Sequence, residues 1–256
     1  MADSARGFLK RLASKEVRMS LKFRVLGTSA KERFWARRHL LAGSDWGKNV
    51  HSGKKNGWVE DYWDSRVHPH RQLLLERIAT QHPGIKSLLE VGSNCGPNLY
   101  LLARAFPNAK IVGIDINERA VQRGNELFSE QGIRNVELRL GKADRLECFE
   151  DKSFDLVFTD ALLIYIGPDK IRRVMDGMFR VAKEALMLLE WHAFEGSGER
   201  ATELGTYRVE GWVRDYAALL KHWVAPGRIE IVKMPDGVWQ DRNWERFGAL
   251  IEVTVR

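Results

Sequence analysis

A glycine turn between an apolar run and a helical pattern decides most of the architecture of this chain. Residues Leu88 to Asn98 read L-L-E-V-G-S-N-C-G-P-N, and an apolar-periodic stretch begins at Leu99. This order predicts a strand, a glycine loop and a helix. Glycines let the backbone come close to a ligand, and the start of a helix offers unpaired N–H groups. The stretch therefore predicts a site for a nucleotide-like ligand, unless it is a turn that merely suits glycine.

A second apolar run ends in an acid at a spacing that suits nucleoside binding. Ile111 to Asp115 reads I-V-G-I-D and follows the glycine loop by about 20 residues, the interval typical of a ribose-binding carboxylate. Such a carboxylate accepts hydrogen bonds from both ribose hydroxyls. Asp115 has a simpler alternative role as the cap of the helix predicted for Asn117 to Phe128.

Further strands alternate with helices along the middle of the chain. The apolar runs predict strands at Val136 to Leu140, Ser153 to Thr159 and Ala185 to Trp191, and Ile171 to Ala182 has the spacing of an amphipathic helix. Alternating elements with continuous apolar strands indicate a parallel sheet that helices cover on both faces. Ligands of such sheets bind at the carboxyl ends of the strands.

The pattern changes after Phe194. Glu195 to Arg208 is polar and predicts a loop, and Val209 to Trp223 predicts a helix. Arg228 to Met234 and Phe247 to Val255 predict two strands, and because the connection has turn residues and no helical pattern, they should pair antiparallel. The fold class predicted is therefore α/β, a Rossmann-like seven-stranded sheet that is mostly parallel, with a C-terminal antiparallel hairpin and helices on both faces.

The charge of the chain is concentrated at its N-terminus. The formal net charge is +7, but residues 1–40 alone hold eleven Lys and Arg against three Asp and Glu, which leaves the remainder at −1. This distribution argues against a nucleic-acid-binding surface on the whole fold. The two cysteines, Cys95 and Cys148, are too few for a disulfide framework, so a cytoplasmic setting is expected.

The basic segment has the pattern of an amphipathic helix. Its apolar residues recur at helical steps among the bases; they are Phe8, Leu12, Met19, Phe23 and Leu26. The pattern predicts attachment of residues 1–40 to an anionic membrane surface, hence a peripheral membrane location. Packing of the same stripe on the protein's own domain is an equal alternative, and an organelle transit peptide is a third.

The glycine-containing stretch Gly43 to Gly57 marks a boundary. We expect a basic extension and loop over 1–57 and one domain over 58–256, with an aromatic lid or helix at 58–82 and a substrate-side insertion at 192–227. Trp58, Tyr62 and Trp63 would form the wall of a substrate site or pack a first helix on the sheet. His68 and His70 are too few ligands for a metal site, so no metal is expected.

These residues together resemble the class I S-adenosylmethionine-dependent methyltransferases over Ser87 to Trp191, and the terminal hairpin resembles theirs in topology. The first motif of that family, acid-x-Gly-x-x-x-Gly, is matched by Glu90, Gly92 and Gly96. The resemblance implies S-adenosylmethionine as the cofactor. It implies cofactor contacts from Glu90, Gly92, Ser93, Asn94, Gly96, Asn98, Asp115, Ile116, Ala143, Asp144, Asp160 and Ala161. Lys142 stands where the family usually has the acid that meets adenine, and Asp144 lies two residues on.

A narrower resemblance covers Asn94 to Tyr100 and the run T-D-A-L-L-I-Y-I-G-P-D-K from Thr159 to Lys170. It is to methylases of bacterial surface-sugar pathways, such as the pseudaminic acid biosynthesis-associated methylase family. Those proteins commonly have His at the position of Tyr165. The resemblance implies a small-molecule, glycan or lipid-linked sugar acceptor.

Candidate catalytic residues follow from the chemistry of an oxygen or nitrogen acceptor. A hydroxyl acceptor needs a general base, for which His192 and Asp160 are the candidates, and Tyr165 would orient the substrate. The chain has no Asn/Asp-Pro-Pro-aromatic tetrad and no Pro-Cys dipeptide, which argues against nucleobase methylation. The alternatives are a non-catalytic S-adenosylmethionine-binding protein and an RNA methyltransferase that uses the basic segment as its phosphate contact.

Overall fold

A seven-stranded sheet forms the centre of the molecule, in a computed structural model that describes residues 28–38, 57–198, 200–208 and 211–255. The strands are β1 (Ser87–Val91), β2 (Lys110–Asp115), β3 (Val136–Leu140), β4 (Phe154–Asp160), β5 (Ala182–Trp191), β6 (Thr206–Arg208), β7 (Gly211–Val213), β8 (Ile229–Lys233) and β9 (Gly248–Thr254). Strands β6 and β7 form a separate two-stranded ribbon.

The order of strands in the sheet is β3-β2-β1-β4-β5-β9-β8. Strands β1 to β5 are parallel, and β9 runs antiparallel to both β5 and β8. The chain moves outward from β1 in one direction and from β4 in the other, so the crevice between these two strands is the topological switch point, where ligands bind in open α/β sheets. The predicted Rossmann-like architecture is confirmed.

Helices cover both faces of the sheet. They are α1 (28–36), α2 (Trp58–Asp64), α3 (Pro69–Gln81), α4 (Pro97–Ala105), α5 (Glu118–Glu130), α6 (Ile171–Val181), α7 (Tyr216–Leu220) and α8 (Arg242–Phe247), with 3-10 turns at Ser65–Val67, Leu163–Tyr165 and Pro226–Arg228. Helices α2 to α5 and α8 contribute to the apolar core on one face, and α6 and α7 to the core on the other.

Local sequence explains where the central helices begin. Helix α4 starts at Pro97 directly after Gly96, whose φ of 84° is left-handed, and proline is well suited to the first helical position because it has no N–H to satisfy. Helix α5 is capped by Asn117, whose side chain accepts a hydrogen bond from the Ala120 N–H. Both helix starts lie at the carboxyl edge of the sheet.

The predicted helix from Val209 to Trp223 is wrong. Strand β7 occupies its first part, where Trp212 pairs with Tyr207 of β6, and only α7 is helical, capped by the Asp215 side chain. Between the two, Arg214 is fully buried and its guanidinium donates to the Leu163 carbonyl at 2.6 Å. The apolar residues that predicted one helix lie instead in two short elements, strand β7 and helix α7.

The C-terminal connection also differs from its prediction. Strands β8 and β9 pair antiparallel as predicted, but helix α8 lies between them, where no helix was expected. The Asp241 side chain caps α8 by accepting from the Asn243 and Trp244 N–H groups, and Trp244 is buried. Asp241, followed three residues later by the buried Trp244, forms the start of this helix. The turn residues that precede Asp241 had favoured a turn without a helix.

Part of the basic segment belongs to the folded domain. Residues 28–38 contain α1 and the wall of a pocket described below, although they were predicted to belong to an extension over 1–57. The apolar positions from Phe8 to Leu26 and most of the glycine stretch lie outside the described residues. Within the described part of the chain, no helix has the length and apolar character needed to cross a bilayer.

Candidate functional site

One pocket lies at the carboxyl edge of the sheet, over the switch point between β1 and β4. The pocket and its open mouth together comprise about 1050 Å³ of space free of protein atoms. The glycine loop after β1, the ends of β2 and β4 and the loop after β3 form its inner wall. Helices α1 and α2 and the 3-10 turn at Leu163–Tyr165 form its outer wall.

The glycine loop is held against β2 by its own backbone. The N–H groups of Gly92 and Ser93 both donate to the Ile114 carbonyl, at 2.8 and 2.9 Å. Gly92 has a φ of 85°, and a Cβ at this position would lie 2.8 Å from Leu162 Cδ1. Glycine is therefore required here both by the backbone conformation and by the space in front of β4.

Asp115 organises the loop from the end of β2. Its Oδ2 accepts a hydrogen bond from the Asn94 N–H and its Oδ1 accepts one from the Asn117 N–H, both at 2.8 Å. Burial raises the pKa of Asp115, and the backbone donors oppose that rise. Each carboxylate oxygen keeps a second lone pair, so Asp115 can also accept from a vicinal diol such as ribose. Ile116 lines the pocket beside it.

The adenine end of the predicted site is formed by the loop after β3. Asp144 lines the pocket, and its Oδ2 lies 3.0 Å from Lys170 Nζ. Its Oδ1 is buried and has no hydrogen-bond partner among the described residues, so it can accept from an exocyclic amine. Lys142 pairs instead with Glu32 of α1 at 3.2 Å. Ala143 lies in the pocket wall between these two residues.

The methionine end is backed by a buried polar cluster. Asn98 Nδ2 donates to Glu90 Oε1 at 2.7 Å and to Asp160 Oδ2 at 2.9 Å, and Asn98 Oδ1 accepts from Arg71 at 2.9 Å. Glu90 Oε2 and Asp160 Oδ1 are buried and lack a hydrogen-bond partner within the described part of the chain. Of this cluster, only Asp160 lines the pocket, so its Oδ1 is the acceptor available to a cationic ligand group.

Asp160 is held as an anion. Burial alone would raise the pKa of its carboxyl, but His70 at 3.1 Å and Arg71 at 3.0 Å outweigh burial and hold the pKa well below its usual range. His70 itself has a lowered pKa, chiefly because it is buried. A carboxylate with so low a pKa is a poor general base. The geometry therefore supports a binding role for Asp160 and removes the reason for assigning it a proton-accepting one.

His192 is not part of the pocket wall. It lies just beyond β5, where its Nδ1 accepts from the Tyr216 N–H at 3.2 Å and its ring packs against Phe194. Burial lowers the pKa of its imidazole. Because His192 packs against α7 and does not line the pocket, the structure does not support its predicted role as the general base. Tyr165, the third catalytic candidate, does line the pocket.

The structure divides the predicted cofactor residues into two groups. The pocket wall includes Gly92, Asn94, Asp115, Ile116, Ala143, Asp144, Asp160 and Ala161. Glu90, Ser93, Gly96 and Asn98 lie behind that wall. Gly96 is required for helix packing. A Cβ at Gly96 would lie 2.8 Å from the Phe128 ring, so the absence of a side chain allows the start of α4 to approach α5.

Helix α1 supplies pocket residues that the sequence analysis did not identify. Thr28 Oγ1 donates to Asp169 Oδ1 at 2.6 Å and accepts from the Gly167 N–H at 2.7 Å, which attaches α1 to the loop before α6. Glu32 makes ion pairs with Lys142 and Lys170. The residues of this segment that line the pocket are Thr28, Lys31, Glu32, Trp35 and Arg38.

Aromatic rings form the outer wall opposite Asp160. The Trp35 ring centroid lies 4.9 Å from that of Tyr165 and 6.3 Å from that of Trp58, and Tyr62 continues the row beyond Trp58. Trp63, by contrast, is buried in the core. The aromatic segment was predicted either to form the wall of a substrate site or to pack a first helix on the sheet. Both occur, because Trp58 and Tyr62 of α2 line the pocket and Trp63 packs in the core.

We expect Trp35 to control access of the cofactor to the pocket. Its backbone carbonyl accepts from Asn117 Nδ2 at 2.9 Å, and its ring closes the pocket against Tyr165. Replacing Trp35 with alanine should weaken S-adenosylmethionine binding about tenfold, since one lost aromatic contact costs roughly 1 kcal/mol or more. Stopped-flow fluorescence should show most of the change in the dissociation rate.

A matched variant keeps an aromatic ring in the wall. Trp35 Nε1 is buried and has no hydrogen-bond partner in the described residues, so Trp35→Phe breaks no hydrogen bond of Nε1 and replaces the indole with a smaller aromatic ring. Its affinity should stay within about threefold of wild type. Equal dissociation rates for wild type and Trp35→Ala would show that α1 does not gate the pocket.

Comparison with known proteins identifies the central part of the chain. Residues 88–185 match a family described as a methyltransferase domain. An uncharacterised protein of Haemophilus influenzae is 30% identical over 105 residues, 41% of this chain and 41% of that protein. The ribosomal protein L11 methyltransferase of Fusobacterium nucleatum is 26% identical over 122 residues, 48% of this chain and 37% of that protein. The chain thus spans about two fifths of the length of these curated relatives.

A solved structure extends the similarity to most of the fold. The magnesium protoporphyrin IX methyltransferase of Synechocystis, solved with bound S-adenosylmethionine, superimposes with a TM-score of 0.60 at 12% identity, covering 90% of this chain and 97% of that one. The match over residues 88–185 confirms a methyltransferase domain in this part of the chain, and the superposition confirms the predicted fold. The narrower resemblance to surface-sugar methylases stays a prediction.

Proposed function

We propose that this chain, which carries a class I S-adenosylmethionine-dependent methyltransferase domain, transfers a methyl group to an oxygen or nitrogen atom of a small molecule, a glycan or a lipid-linked sugar. The observation that carries the proposal is the covered pocket, which has an acceptor oxygen without a partner at each end and Asp115 between them. Asp144 Oδ1 suits the adenine amine, Asp115 the ribose hydroxyls and Asp160 Oδ1 the methionine ammonium.

The reaction places a simple demand on the protein. The bound cofactor supplies an electrophilic methyl group on a sulfonium, and the protein has to align the acceptor with it in a dry site. Such positioning can contribute on the order of 7 to 11 kcal/mol to lowering the barrier. The rings of Trp58, Tyr62 and Tyr165 suit this task because aromatic faces pack on flat or CH-bearing acceptors and exclude water.

Proton transfer has a secondary part in this proposal. Burial raises the pKa of Tyr62 to about 12, so its phenol stays neutral, and Asp160 stays ionised. Neither group is suited to removing a proton from a hydroxyl near neutral pH. We propose that Tyr165 orients the acceptor, and that acceptors which are already nucleophilic, such as amines or ionised oxygens, are favoured over unactivated hydroxyls.

The closed outer wall favours small acceptors over polymers. Helix α1 covers the pocket from the adenine end to Trp58, which leaves little room for a folded RNA at the reacting end. Residues 1–27 hold seven Lys and Arg against two Asp and Glu, so residues 28–256, which include α1, have a net charge of only +2 and give the domain little electrostatic attraction for phosphate. Attachment of residues 1–40 to an anionic membrane, which would suit a lipid-linked acceptor, remains a prediction.

The test uses the full-length protein with methyl-labelled S-adenosylmethionine and an extract of the source cell. We expect label in the small-molecule, glycan or lipid fraction, and none when Gly92→Val is used, since a side chain there collides with Leu162. Label in the RNA fraction would favour the RNA methyltransferase instead. Cofactor binding without label in any fraction would favour a non-catalytic binding protein.

A further inference from the structure

Two buried carboxylates share one amide behind the methionine end of the pocket. Glu90 and Asp160 lie on the same face of neighbouring strands and are 2% and 5% exposed. Asn98 Nδ2 donates to both, at 2.7 and 2.9 Å, so the two carboxylates are close neighbours. Two like charges held this close out of water disfavour one another, and one of them is expected to be neutral.

The surroundings determine which carboxylate remains ionised. Asp160 Oδ2 also receives hydrogen bonds from Arg71 at 3.0 Å and lies 3.1 Å from His70 Nε2. Glu90 Oε1 has only the neutral Asn98 amide. The Arg71 cation and the His70 ring on α3 therefore stabilise the anion on Asp160, and Glu90 is left as the group that holds a proton.

Among the residues that the structure describes, no other charged group near Glu90 reverses this balance. From β2, Asp115 adds negative charge; from α2, Tyr62 is neutral; from α3, Arg71 is the cation and His70 has its pKa lowered by burial. Burial raises the pKa of Glu90 to about 8, with Asp160 and Asp115 adding to the rise and Asn98 and Arg71 opposing it. The cluster thus holds more acids than cations.

The atoms without partners show what the cluster lacks. Glu90 Oε2 and Asp160 Oδ1 are buried and have no hydrogen-bond partner in the described part of the chain. The methionine end of S-adenosylmethionine carries an ammonium, a sulfonium and a carboxylate, a net positive charge, and in the proposed complex its ammonium lies at the pocket wall beside Asp160. Positive charge entering here favours ionisation of both carboxylates.

We propose that Glu90 carries a proton in the free protein and releases it to solvent when the cationic end of S-adenosylmethionine binds beside Asp160. The inference rests on the proposed function for the identity of the cofactor. No covalent bond changes in this step, because the Glu90 O–H ionises and its proton passes to water or buffer. Cofactor binding is thereby coupled to pH through a residue behind the pocket wall.

The sign of the pH dependence follows from the release of a proton. Below the pKa of Glu90 in the free protein, binding requires loss of that proton, so affinity rises with pH. The rise is at most about tenfold per pH unit for one proton, and it levels off above pH 8 or so. S-adenosylhomocysteine lacks the sulfonium charge and should release a smaller fraction of a proton.

Calorimetry at pH 7 in buffers of different ionisation enthalpy measures the proton directly. We expect the full-length protein to release close to one more proton than Glu90→Gln when each binds S-adenosylmethionine. The α-amino group of the ligand, with a pKa near 8, contributes equally to both proteins and cancels in the comparison. The wild-type dissociation constant, measured from pH 6 to pH 7.5, should fall as pH rises, a result that does not depend on the variant.

Glu190→Gln is a matched control for a buried acid that does not line the pocket. Burial also raises the pKa of Glu190, to about 7, but its carboxylate accepts from Thr159 and from backbone N–H groups of the 3-10 turn. Its proton release should equal that of wild type. Equal release by wild type and Glu90→Gln, or an affinity independent of pH, would overturn the proposal and leave the methyltransferase assignment intact. Failure of the wild type to bind the cofactor at all would overturn both.

Discussion

Replacing Arg71 with methionine is expected to lower the free energy of unfolding by about 3 to 5 kcal/mol. Arg71 is 3% exposed and donates to Asp160, Asn98 and the Ser65 carbonyl. Methionine has a similar volume, so the main loss is the cation that offsets the buried charge of Asp160. Urea denaturation monitored by far-UV circular dichroism measures the change.

Arg77→Met on the same helix is the matched control. Arg77 also faces two carboxylates, with its Nε 3.1 Å from Glu252 and its Nη2 2.6 Å from Glu230, but its side chain is 25% exposed. Because water screens that pair, its loss should cost no more than about 1 kcal/mol. A cost for Arg71→Met no greater than that for Arg77→Met would contradict the role assigned to the buried cation.

A double variant isolates the coupling. If Arg71 stabilises the protein mainly through Asp160, then Arg71→Met combined with Asp160→Asn should cost clearly less than the sum of the two single changes. An additive result would mean that Arg71 acts chiefly through its contacts with Ser65 and Asn98.

The sheet and the glycine loop could be predicted because their signals are local. L-L-E-V before Gly92 and I-V-G-I before Asp115 are mostly apolar runs, with Glu90 inside the first, which is the pattern of strands buried on both faces. Glu90 and Asp115 therefore lie at or near the carboxyl ends of their strands, whatever the helices between them do. Local patterns of this kind determined β1 to β5 and the pocket residues on them.

The polar cluster could not be predicted in the same way. Arg71 and Asp160 are 89 positions apart, and nothing near either residue indicates the other. Arg71 occurs in the segment predicted as an aromatic lid or first helix, and Asp160 was predicted at the end of a strand. Their pairing depends on how α3 crosses the sheet, which is a property of tertiary packing.

Helix α1 was misassigned because its composition resembles that of the segment before it. Lys31, Arg33, Arg37 and Arg38 continue the basic pattern of the tail, so the charge gave no boundary between tail and domain. Thr28 and Trp35 are residues that attach α1 to the domain. They form hydrogen bonds with Gly167 and Asn117, which are distant from them in the sequence. His192 was predicted to be a general base because it follows β5 at the carboxyl edge of the sheet, but its side chain packs against α7.

The second large effect is expected from Asp115→Ala, which should weaken S-adenosylmethionine binding by about 10² to 10⁴ fold. The carboxylate fixes the N–H groups of Asn94 and Asn117, and in the proposed complex it also holds the ribose. Hydrogen bonds to a charged group contribute roughly 1.5 to 3 kcal/mol each, and about 1.4 kcal/mol corresponds to a factor of ten in affinity. Isothermal calorimetry measures the loss, and circular dichroism shows whether the fold is kept.

Asp155→Ala tests whether this loss is specific to the site. Asp155 resembles Asp115 in accepting two backbone N–H groups, those of Lys86 and Ser87 at 2.9 and 3.0 Å, but it lies at the start of β4, at the opposite edge of the sheet. Its replacement should lower stability and leave cofactor affinity within about threefold of wild type. If both variants bound equally weakly, the effect of Asp115 would reflect loss of the fold. Weak binding by Asp115→Ala alone would assign the carboxyl end of β2 to the ribose, because Asp155 holds as many backbone N–H groups at the other edge of the sheet.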